Sequence, residues 1–230
     1  TNVFFCCTGL EANEAAIKLA RKFGHNKGIE KPEIVVYEKA FHGRSMFAVA
    51  LTGKVQPYKA QFGPFPPELY HVPFPCHCAS LVEVKRAVGQ LFKADIEPSR
   101  VAAIIFEPIM CNTCCMEPVP GMIETIRELC DREGMLMIAD ETITGFRFAP
   151  GGAQEALGFV PDLTILGKAI GGGVPFAALV GKKSAMQKII EGSVVHAGTL
   201  NGNPLCLAAS KWCLDHVLGL GKSHPQVAND

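Results

Sequence analysis

The stretch MLMIADE, residues 135–141, consists of five apolar residues followed by two acids. A short run that is apolar throughout is typical of a strand buried on both faces of a sheet. Similar runs recur along the chain at residues 3–6, 33–38, 101–107, 163–167 and 177–181. The stretch therefore predicts an interior strand of a mostly parallel sheet.

Segments with helical periodicity separate these apolar runs. They cover residues 11–23, 81–92, 122–132, 185–191 and 204–218. Strands that alternate with helices form crossover units, which place helices on both faces of the sheet. We therefore predict an α/β fold, a three-layer α/β/α sandwich with a mostly parallel sheet. The Pro- and Phe-rich residues 56–75 have few periodic positions and are predicted to form a long surface or active-site excursion.

The composition favours a globular protein without a nucleic-acid or membrane partner. Lys plus Arg and Asp plus Glu number 22 each, so no net charge attracts a polyanion. The apolar runs fall far short of the ~20 residues that cross a bilayer. Ten irregularly spaced Cys residues in a chain of this size predict a reducing, cytoplasmic location. The N-terminal TNVFFCC lacks the features of a signal peptide and is predicted to begin inside a strand of a longer protein.

Two clusters of soft ligands raise the question of a metal. They are Cys76, His77 and Cys78 in PCHC, and Cys111, Cys114 and Cys115 in CNTCC. Together they lack the paired C-x-x-C spacing of a zinc ribbon or finger. We therefore predict no metal, and interpret the thiols as small buried or half-buried side chains.

The unusual residues of the sequence follow predicted strands, and ligands bind at the carboxyl ends of strands in such sheets. Thr8 and Gly9 open a helix whose free amides and dipole suit a phosphate. Asp140 and Glu141 end one strand and point to opposite faces, so only one of them can face a given ligand. Lys168 follows the next strand, so we predict a buried carboxylate beside a partly desolvated lysine, which indicates an activated amine nucleophile.

A lysine nucleophile of this kind forms a Schiff base with a carbonyl compound. The best-known biological partner is pyridoxal 5'-phosphate, which proteins hold by its phosphate and by an acid at its ring nitrogen. All three parts are present in the predicted site. The sequence therefore favours pyridoxal phosphate as cofactor.

Six motifs occur in one order between residue 5 and about residue 210. They are TGLEANEAAIKLAR, FHGRS, IIFEPI, ADETITGFR, PDLTILGKAIGGGVP and GTLNGNPL. With them the chain resembles the large domain of class III, or ω-amino acid, pyridoxal-phosphate aminotransferases of fold type I. The resemblance implies a cofactor-binding large domain at 1–218 and a tail at 219–230. It also implies that the N-terminal segment and C-terminal small domain of the family are missing, so that the fragment alone would lack pocket residues and could be inactive.

The resemblance implies cofactor roles for individual residues. Lys168 would form the Schiff base and shuttle a proton, and Asp140 would keep the ring nitrogen protonated. Thr8, Gly9 and Leu10 would hold the phosphate, with Leu10 contributing only its backbone N–H where the family has Thr. Phe41 would stack on the ring. The cofactor set also includes His42, Glu107, Thr142 and Ile143.

Substrate and partner roles follow from the same resemblance. Arg44 matches a position that grips a substrate carboxylate. Thr199 matches the residue that reaches the phosphate of the neighbouring subunit's cofactor, which implies a homodimer. Asn112 stands where the family has a second glutamate that acts as a charge gate.

At two positions near the cofactor ring, the sequence departs from the pattern of the family. Thr142 replaces an apolar residue that lies against the ring, and Ile143 replaces a glutamine that touches the ring hydroxyl. Since Ile143 cannot make that hydrogen bond, the electronic tuning of the cofactor is expected to differ.

The leading hypothesis is transfer of an amino group from an amine or ω-amino acid, resembling 4-aminobutyrate, to a 2-keto acid acceptor. The segments TGFR, GGAQE and AGTLNGNPL are instead similar to glutamate-1-semialdehyde aminomutases, which makes an aminomutase the second hypothesis. The third is a non-catalytic module that binds phosphate or a nucleotide, in which Lys168 is only a counter-ion.

Overall fold

A computed structural model describes residues 1–74 and 80–219 of the chain. Its centre is a seven-stranded sheet with the order β1-β7-β6-β5-β4-β2-β3. The strands are β1 (Asn2–Cys6), β2 (Glu33–Tyr37), β3 (Leu69–Val72), β4 (Val101–Phe106), β5 (Leu136–Glu141), β6 (Leu163–Leu166) and β7 (Ala177–Gly181). This arrangement confirms the predicted fold class.

The central strands are the apolar runs of the sequence. Every residue of β2, β4 and β5 is buried, because helices cover both faces of the sheet there. At the sheet edge, β1 alternates between half-buried or buried and exposed residues. The runs therefore predicted the interior strands better than the edge.

One strand departs from the parallel arrangement. β7 runs antiparallel to both of its neighbours, β1 and β6, whereas all other pairs are parallel. The connection from β6 to β7 covers only residues 167–176 and holds a short 3-10 turn, Lys168–Gly171. A parallel return needs a crossover of about a dozen or more residues, so this short connection reverses the chain.

The helices form the two outer layers. They are α1 (Gly9–Asn26), α2 (Met46–Leu51), α3 (Leu81–Ala94), α4 (Met122–Glu133), α5 (Ala153–Ala156), α6 (Lys183–Ile190) and α7 (Pro204–Gly219). From β1 through β2 to β3 the chain proceeds toward one edge of the sheet, and from β3 through β4 to β5 it proceeds in the opposite direction. Right-handed crossovers therefore place α1 and α2 on one face and α3 and α4 on the other. The contacts agree, since α1 packs against α2 and α6, and α3 packs against α4.

The predicted excursion at residues 56–75 contains regular structure that the sequence did not reveal. β3 lies within it and pairs in parallel with β2, a strand that the sequence pattern did not indicate. α2, just before the excursion, was also missed. Its sequence is only six residues long, and it begins at Ser45, whose hydroxyl accepts from the amide of Ala48.

Strand register brings the candidate residues to one edge of the sheet. Phe106 on β4 lies beside Ala139 on β5, and Asp140 lies beside Ile165 on β6. Glu107 immediately follows β4, and Lys168 follows β6 after one glycine, Gly167. All three side chains therefore emerge at the carboxyl ends of neighbouring strands.

No helix in residues 1–74 and 80–219 is long and apolar enough to cross a membrane. The predicted division into a domain at 1–218 and a tail stays a prediction, and residues 220–230 of that tail lie outside the described residues.

Candidate active site

A cavity of about 560 Å³ opens at the carboxyl ends of the strands. It is lined by most of the residues that the sequence singled out, namely Thr8, Gly9, Leu10, Phe41, His42, Arg44, Glu107, Asp140, Thr142, Ile143 and Lys168. Asn112 and Thr199 are not among its lining residues. The volume lies within the range of small-molecule sites, ~300–1,000 Å³.

The N-terminus of α1 forms one wall of the cavity. Thr8 is the N-cap, and its side chain accepts from the amide of Glu11 at 3.2 Å. The Glu11 carboxylate accepts in turn from the amides of Cys7 at 2.8 Å and Thr8 at 2.9 Å. This capping box leaves the amides of Gly9 and Leu10, which precede the first intrahelical bonds, available at the cavity wall.

The Asp140 carboxylate lies buried at the base of the cavity, held by four hydrogen bonds. Its Oδ2 accepts from Nδ1 of His42 at 2.7 Å and from Nδ2 of Asn13 at 3.0 Å. Its Oδ1 accepts from the amide of Thr142 at 3.0 Å and from the Thr142 hydroxyl at 2.5 Å. Burial alone would raise the pKa of Asp140, but the bonds from His42, Thr142 and Asn13 outweigh it and lower the pKa. The group is therefore a stable buried anion.

Glu141 occupies the opposite side of the same strand. Its carboxylate accepts from the Thr144 hydroxyl at 2.8 Å and from the amides of Ala153 at 2.6 Å and Gln154 at 3.0 Å. Desolvation nevertheless raises the pKa of Glu141. Of the two adjacent acids, only Asp140 lines the cavity, and Glu141 instead anchors the start of α5.

Glu107 is the third buried acid at this edge of the sheet. Its Oε1 accepts from the amide of Phe41 at 2.8 Å, which ties the loop after β2 to the end of β4. Desolvation raises the pKa of Glu107 to about 7, although nearby His42 opposes the shift. The residue therefore titrates near neutral pH, and it faces the cavity.

Arg44 lines the cavity, and its side chain contacts two aromatic rings. The guanidinium lies 5.4 Å from the ring centroid of Phe41 and 6.0 Å from that of Tyr58. The two rings are themselves in contact, with centroids 5.3 Å apart. Arg44 is exposed, and a guanidinium suits a planar anion such as a carboxylate.

Lys168 begins the 3-10 turn after β6 and lines the cavity. Its φ of 48° lies in the left-handed region, which non-glycine residues adopt mainly where the surrounding structure requires it. Lys168 is exposed in the single chain, and its partial desolvation stays a prediction.

Asn112 and Thr199 lie elsewhere. Asn112 is half-buried in the short turn Cys111–Thr113, where its carbonyl accepts from Lys54 Nζ at 3.5 Å. Thr199 is exposed, on a loop that His196 attaches to α1 through the carbonyl of Glu11 at 3.2 Å. Neither residue therefore contributes to the cavity of its own chain.

The cavity is also lined by residues that the sequence patterns did not indicate, including Cys7, Asn13, Gly43 and the run Val174–Phe176. Asn13 is the most informative of them, because it is buried within α1 and binds Asp140. A polar residue one turn after the start of α1 was the available signal. Tyr58, whose ring contacts that of Phe41 at a tilt of 58°, lies in the segment that we predicted to be a surface or active-site excursion.

In the described part of the chain, the cysteine clusters form no metal-binding group. Within residues 1–74 and 80–219, no three His, Cys, Asp or Glu side chains group as metal ligands. Cys111 is half-buried, while Cys114 and Cys115 are exposed. Cys76, His77 and Cys78 lie outside the described residues.

The sequence matches one protein family over almost its whole length. The family model described as Aminotransferase class-III covers residues 1–221. A glutamate-1-semialdehyde 2,1-aminomutase from Syntrophobacter fumaroxidans is 40% identical over 214 residues, which are 90% of this chain and 46% of that protein.

Solved structures share the fold. The ornithine aminotransferase from Toxoplasma gondii has a TM-score of 0.84 and 29% identity, over 97% of this chain and 50% of that one. An (S)-enantioselective omega-transaminase from Thermomicrobium roseum has a TM-score of 0.87 and 28% identity, over 97% and 52% respectively. The chain thus spans about half the length of the relatives it matches.

Proposed function

Because this chain belongs to the class III aminotransferase family, we propose that it is the cofactor-binding part of a pyridoxal-phosphate enzyme that transfers amino groups. One observation carries the proposal. A buried carboxylate, a lysine and two free helix amides line one cavity of about 560 Å³. These groups are the ones that recognise the ring nitrogen, the carbonyl and the phosphate of pyridoxal phosphate.

The phosphate end of the cofactor fits the N-terminus of α1. The amides of Gly9 and Leu10 and the positive end of the helix dipole favour an anion there. A Cβ atom on Gly9 would lie 2.7 Å from Cγ2 of Thr142, so glycine is needed for this close approach. Thr8 adds a hydroxyl at the same wall.

The ring end fits the base of the cavity. Asp140 is buried and ionised, so it would hold a protonated ring nitrogen by a charge-assisted hydrogen bond. Phe41 and Ile143 provide apolar walls for the ring. Ile143 offers no hydrogen bond to the ring hydroxyl, which leaves Asp140 as the main polar control on the ring.

Pyridoxal phosphate, when bound, supplies the carbonyl that condenses with a primary amine and the ring that accepts the electron pair of the substrate carbon. The chain supplies the other parts. Lys168 Nζ would accept the proton from the substrate carbon and return it, since Lys168 lines the cavity. Arg44, which lies over two adjacent aromatic rings, would bind the substrate carboxylate.

For the substrates, we propose an amine or ω-amino acid donor that resembles 4-aminobutyrate, and a 2-keto acid acceptor. Arg44 supports a carboxylate on the donor or acceptor. The proposed role of Asn112 in substrate selection has no support from the cavity lining. The relatives are about twice the length of this chain.

The test is the visible absorption band of the purified chain with pyridoxal phosphate, followed during addition of candidate amine donors. The proposal predicts a band that 4-aminobutyrate or a related amine bleaches, and that a 2-keto acid restores. Lys168→Ala should abolish the band, while Lys183→Ala, which removes an exposed lysine on α6, should leave it unchanged. A band that persists in Lys168→Ala would refute the role of this lysine.

An aminomutase is the second candidate, because the relative with 40% identity is a glutamate-1-semialdehyde aminomutase. An aminomutase moves the amino group within one substrate and needs no external acceptor. Product analysis with and without a 2-keto acid separates the two functions. Turnover of glutamate 1-semialdehyde without any acceptor would favour the aminomutase.

We further propose a homodimer in which Thr199 reaches the cofactor of the partner subunit. Large apolar side chains around Thr199 support a buried interface, since Val195, Leu200 and Leu205 are 77%, 64% and 74% exposed in the single chain. Mixed subunits provide the test. Lys168→Ala and Thr199→Ala chains should each lack activity, and mixing them should restore it, because the hybrid contains one intact site.

A further inference from the structure

The hydrogen bonds of Asp140 are already saturated by the chain. An ionised carboxylate offers about four lone-pair sites, two on each oxygen. Four donors occupy them: Nδ1 of His42 and Nδ2 of Asn13 on Oδ2, and the amide and hydroxyl of Thr142 on Oδ1. Any further donor that enters the cavity must therefore displace or share one of these bonds.

The Thr142 hydroxyl is the donor that can give way. A backbone amide has a fixed direction, and the ring of His42 and the side chain of Asn13 are buried. A hydroxyl proton, in contrast, rotates about the Cβ–Oγ bond, and it can turn without any movement of heavy atoms. Thr142 also lines the cavity directly.

Packing fixes the rest of the Thr142 side chain. A Cβ atom on Gly9 would lie 2.7 Å from its methyl carbon, and one on Gly167 would lie 3.0 Å from it. The side chain is thus wedged between the turn that begins α1 and the residue that precedes Lys168. Its oxygen stays beside Asp140, and only the proton is free to reorient.

We infer that the Thr142 hydroxyl is an exchangeable donor to Asp140, which competes with the ring nitrogen of the ligand for the carboxylate and so weakens its binding. Thr142 is in this sense a positioning residue that acts through Asp140. The inference rests on the proposed function for the identity of the ligand. It deepens that function, because it assigns control of the Asp140–ring contact to a residue that the resemblance places only against the ring.

Substitution of Thr142 separates the hydroxyl from the methyl group. Thr142→Val keeps the branched side chain that packs against Gly9 and Gly167 and removes the hydroxyl donor. We expect its dissociation constant for pyridoxal phosphate, measured by fluorescence titration, to fall about five- to tenfold, the size of one hydrogen bond. Thr142→Ser keeps the hydroxyl, so its dissociation constant should equal that of the wild type.

Thr144→Val is the matched control. It removes a buried threonine hydroxyl of the same kind two residues away, but that hydroxyl donates to Glu141 on the other side of the strand. Its dissociation constant should equal that of the wild type. A ligand control uses the deaza analogue of pyridoxal phosphate, with CH in place of the ring nitrogen, for which Thr142→Val should bring no gain.

Unchanged or weaker binding of pyridoxal phosphate by Thr142→Val overturns the inference, as does an equal gain with the deaza analogue. The visible band of the wild type distinguishes failure of the inference from failure of the proposed function. If the wild type forms the band and the gain is absent, only the inference fails. If the wild type binds no pyridoxal phosphate at Lys168, the proposed function fails and the inference fails with it.

Discussion

Asp140 and Glu141 are adjacent on β5, yet the two sides of the strand treat their carboxylates in opposite ways. On the cavity side, His42, Thr142 and Asn13 lower the pKa of Asp140 in spite of its burial. On the other side, desolvation dominates and raises the pKa of Glu141, although Thr144 and two amides bind it. The cavity side preserves a charge for a ligand, whereas the other side uses a carboxylate as a structural anchor.

The difference lies in what each set of donors holds together. The donors to Asp140 come from α1, from the loop after β2 and from the end of β5, so the carboxylate joins the segments that line the cavity. The donors to Glu141 all follow within residues 144–154, so that carboxylate only closes a local turn. Substitution of Asp140 should therefore alter ligand binding, whereas substitution of Glu141 should alter the stability of the fold.

The largest effect should come from Asp140→Asn, which removes the charge on the cavity side. We expect the dissociation constant for pyridoxal phosphate to rise about 100-fold, because a hydrogen bond to a charged group contributes up to ~3 kcal/mol. Fluorescence titration measures it. Glu141→Gln is the control and should change the constant less than about twofold; equal losses in both variants would erase the distinction between the two sides.

Glu107→Gln should show the next effect, in the pH dependence of stability. The pKa of Glu107 is raised from 4.5 to about 7. Its contribution to the free energy of unfolding is therefore fully present below pH 4.5 and is lost as the pH rises through 7. The neutral variant avoids this loss and should gain on the order of 2 kcal/mol over the wild type between pH 4.5 and 8. Urea unfolding at both pH values measures the gain; a constant difference would contradict the raised pKa.

Glu141→Gln should destabilise the fold by about 1.5 kcal/mol, because one amide or hydroxyl donor would face the new NH2 group. The expected consequence is a lower urea midpoint at pH 7. Cofactor affinity serves as the internal control, since the fold changes but the cavity does not. Undiminished stability would show that Glu141 is not an anchor.

The smallest effect should come from Thr144→Val, which removes a single donor to Glu141. We expect a loss of about 1 kcal/mol in the free energy of unfolding. Combined with Glu141→Gln, its cost should shrink, because both variants disturb the same bond. Fully additive losses in the double variant would argue against that bond.

The sequence predicted the parts of this comparison that depend on strand ends. Continuous apolar runs revealed the interior strands, and the last residues of those runs placed Asp140 and Lys168 at one edge. Alternation of side chains along a strand predicted that only one of the two acids faces the cavity. The roles of the individual residues toward the cofactor stay predictions.

What the sequence did not reveal depends on tertiary contacts. β3 is a four-residue edge strand, Leu69–Val72, between prolines, and it is a strand only because β2 pairs with it. Asn13 resembles any polar residue of a helix until Asp140 lies beside it. The orientation of β7 follows from a connection too short for a crossover, a constraint of length that a pattern of hydrophobicity does not contain.

The most direct test of the central claim is covalent trapping. The chain is incubated with pyridoxal phosphate, reduced with borohydride, digested, and analysed by mass spectrometry. We predict that the reduced cofactor is attached to the peptide that contains Lys168, and that Asp140→Asn lowers its yield at limiting cofactor concentration. Attachment to other lysines only, or none at all, would contradict the claim that this cavity holds the cofactor.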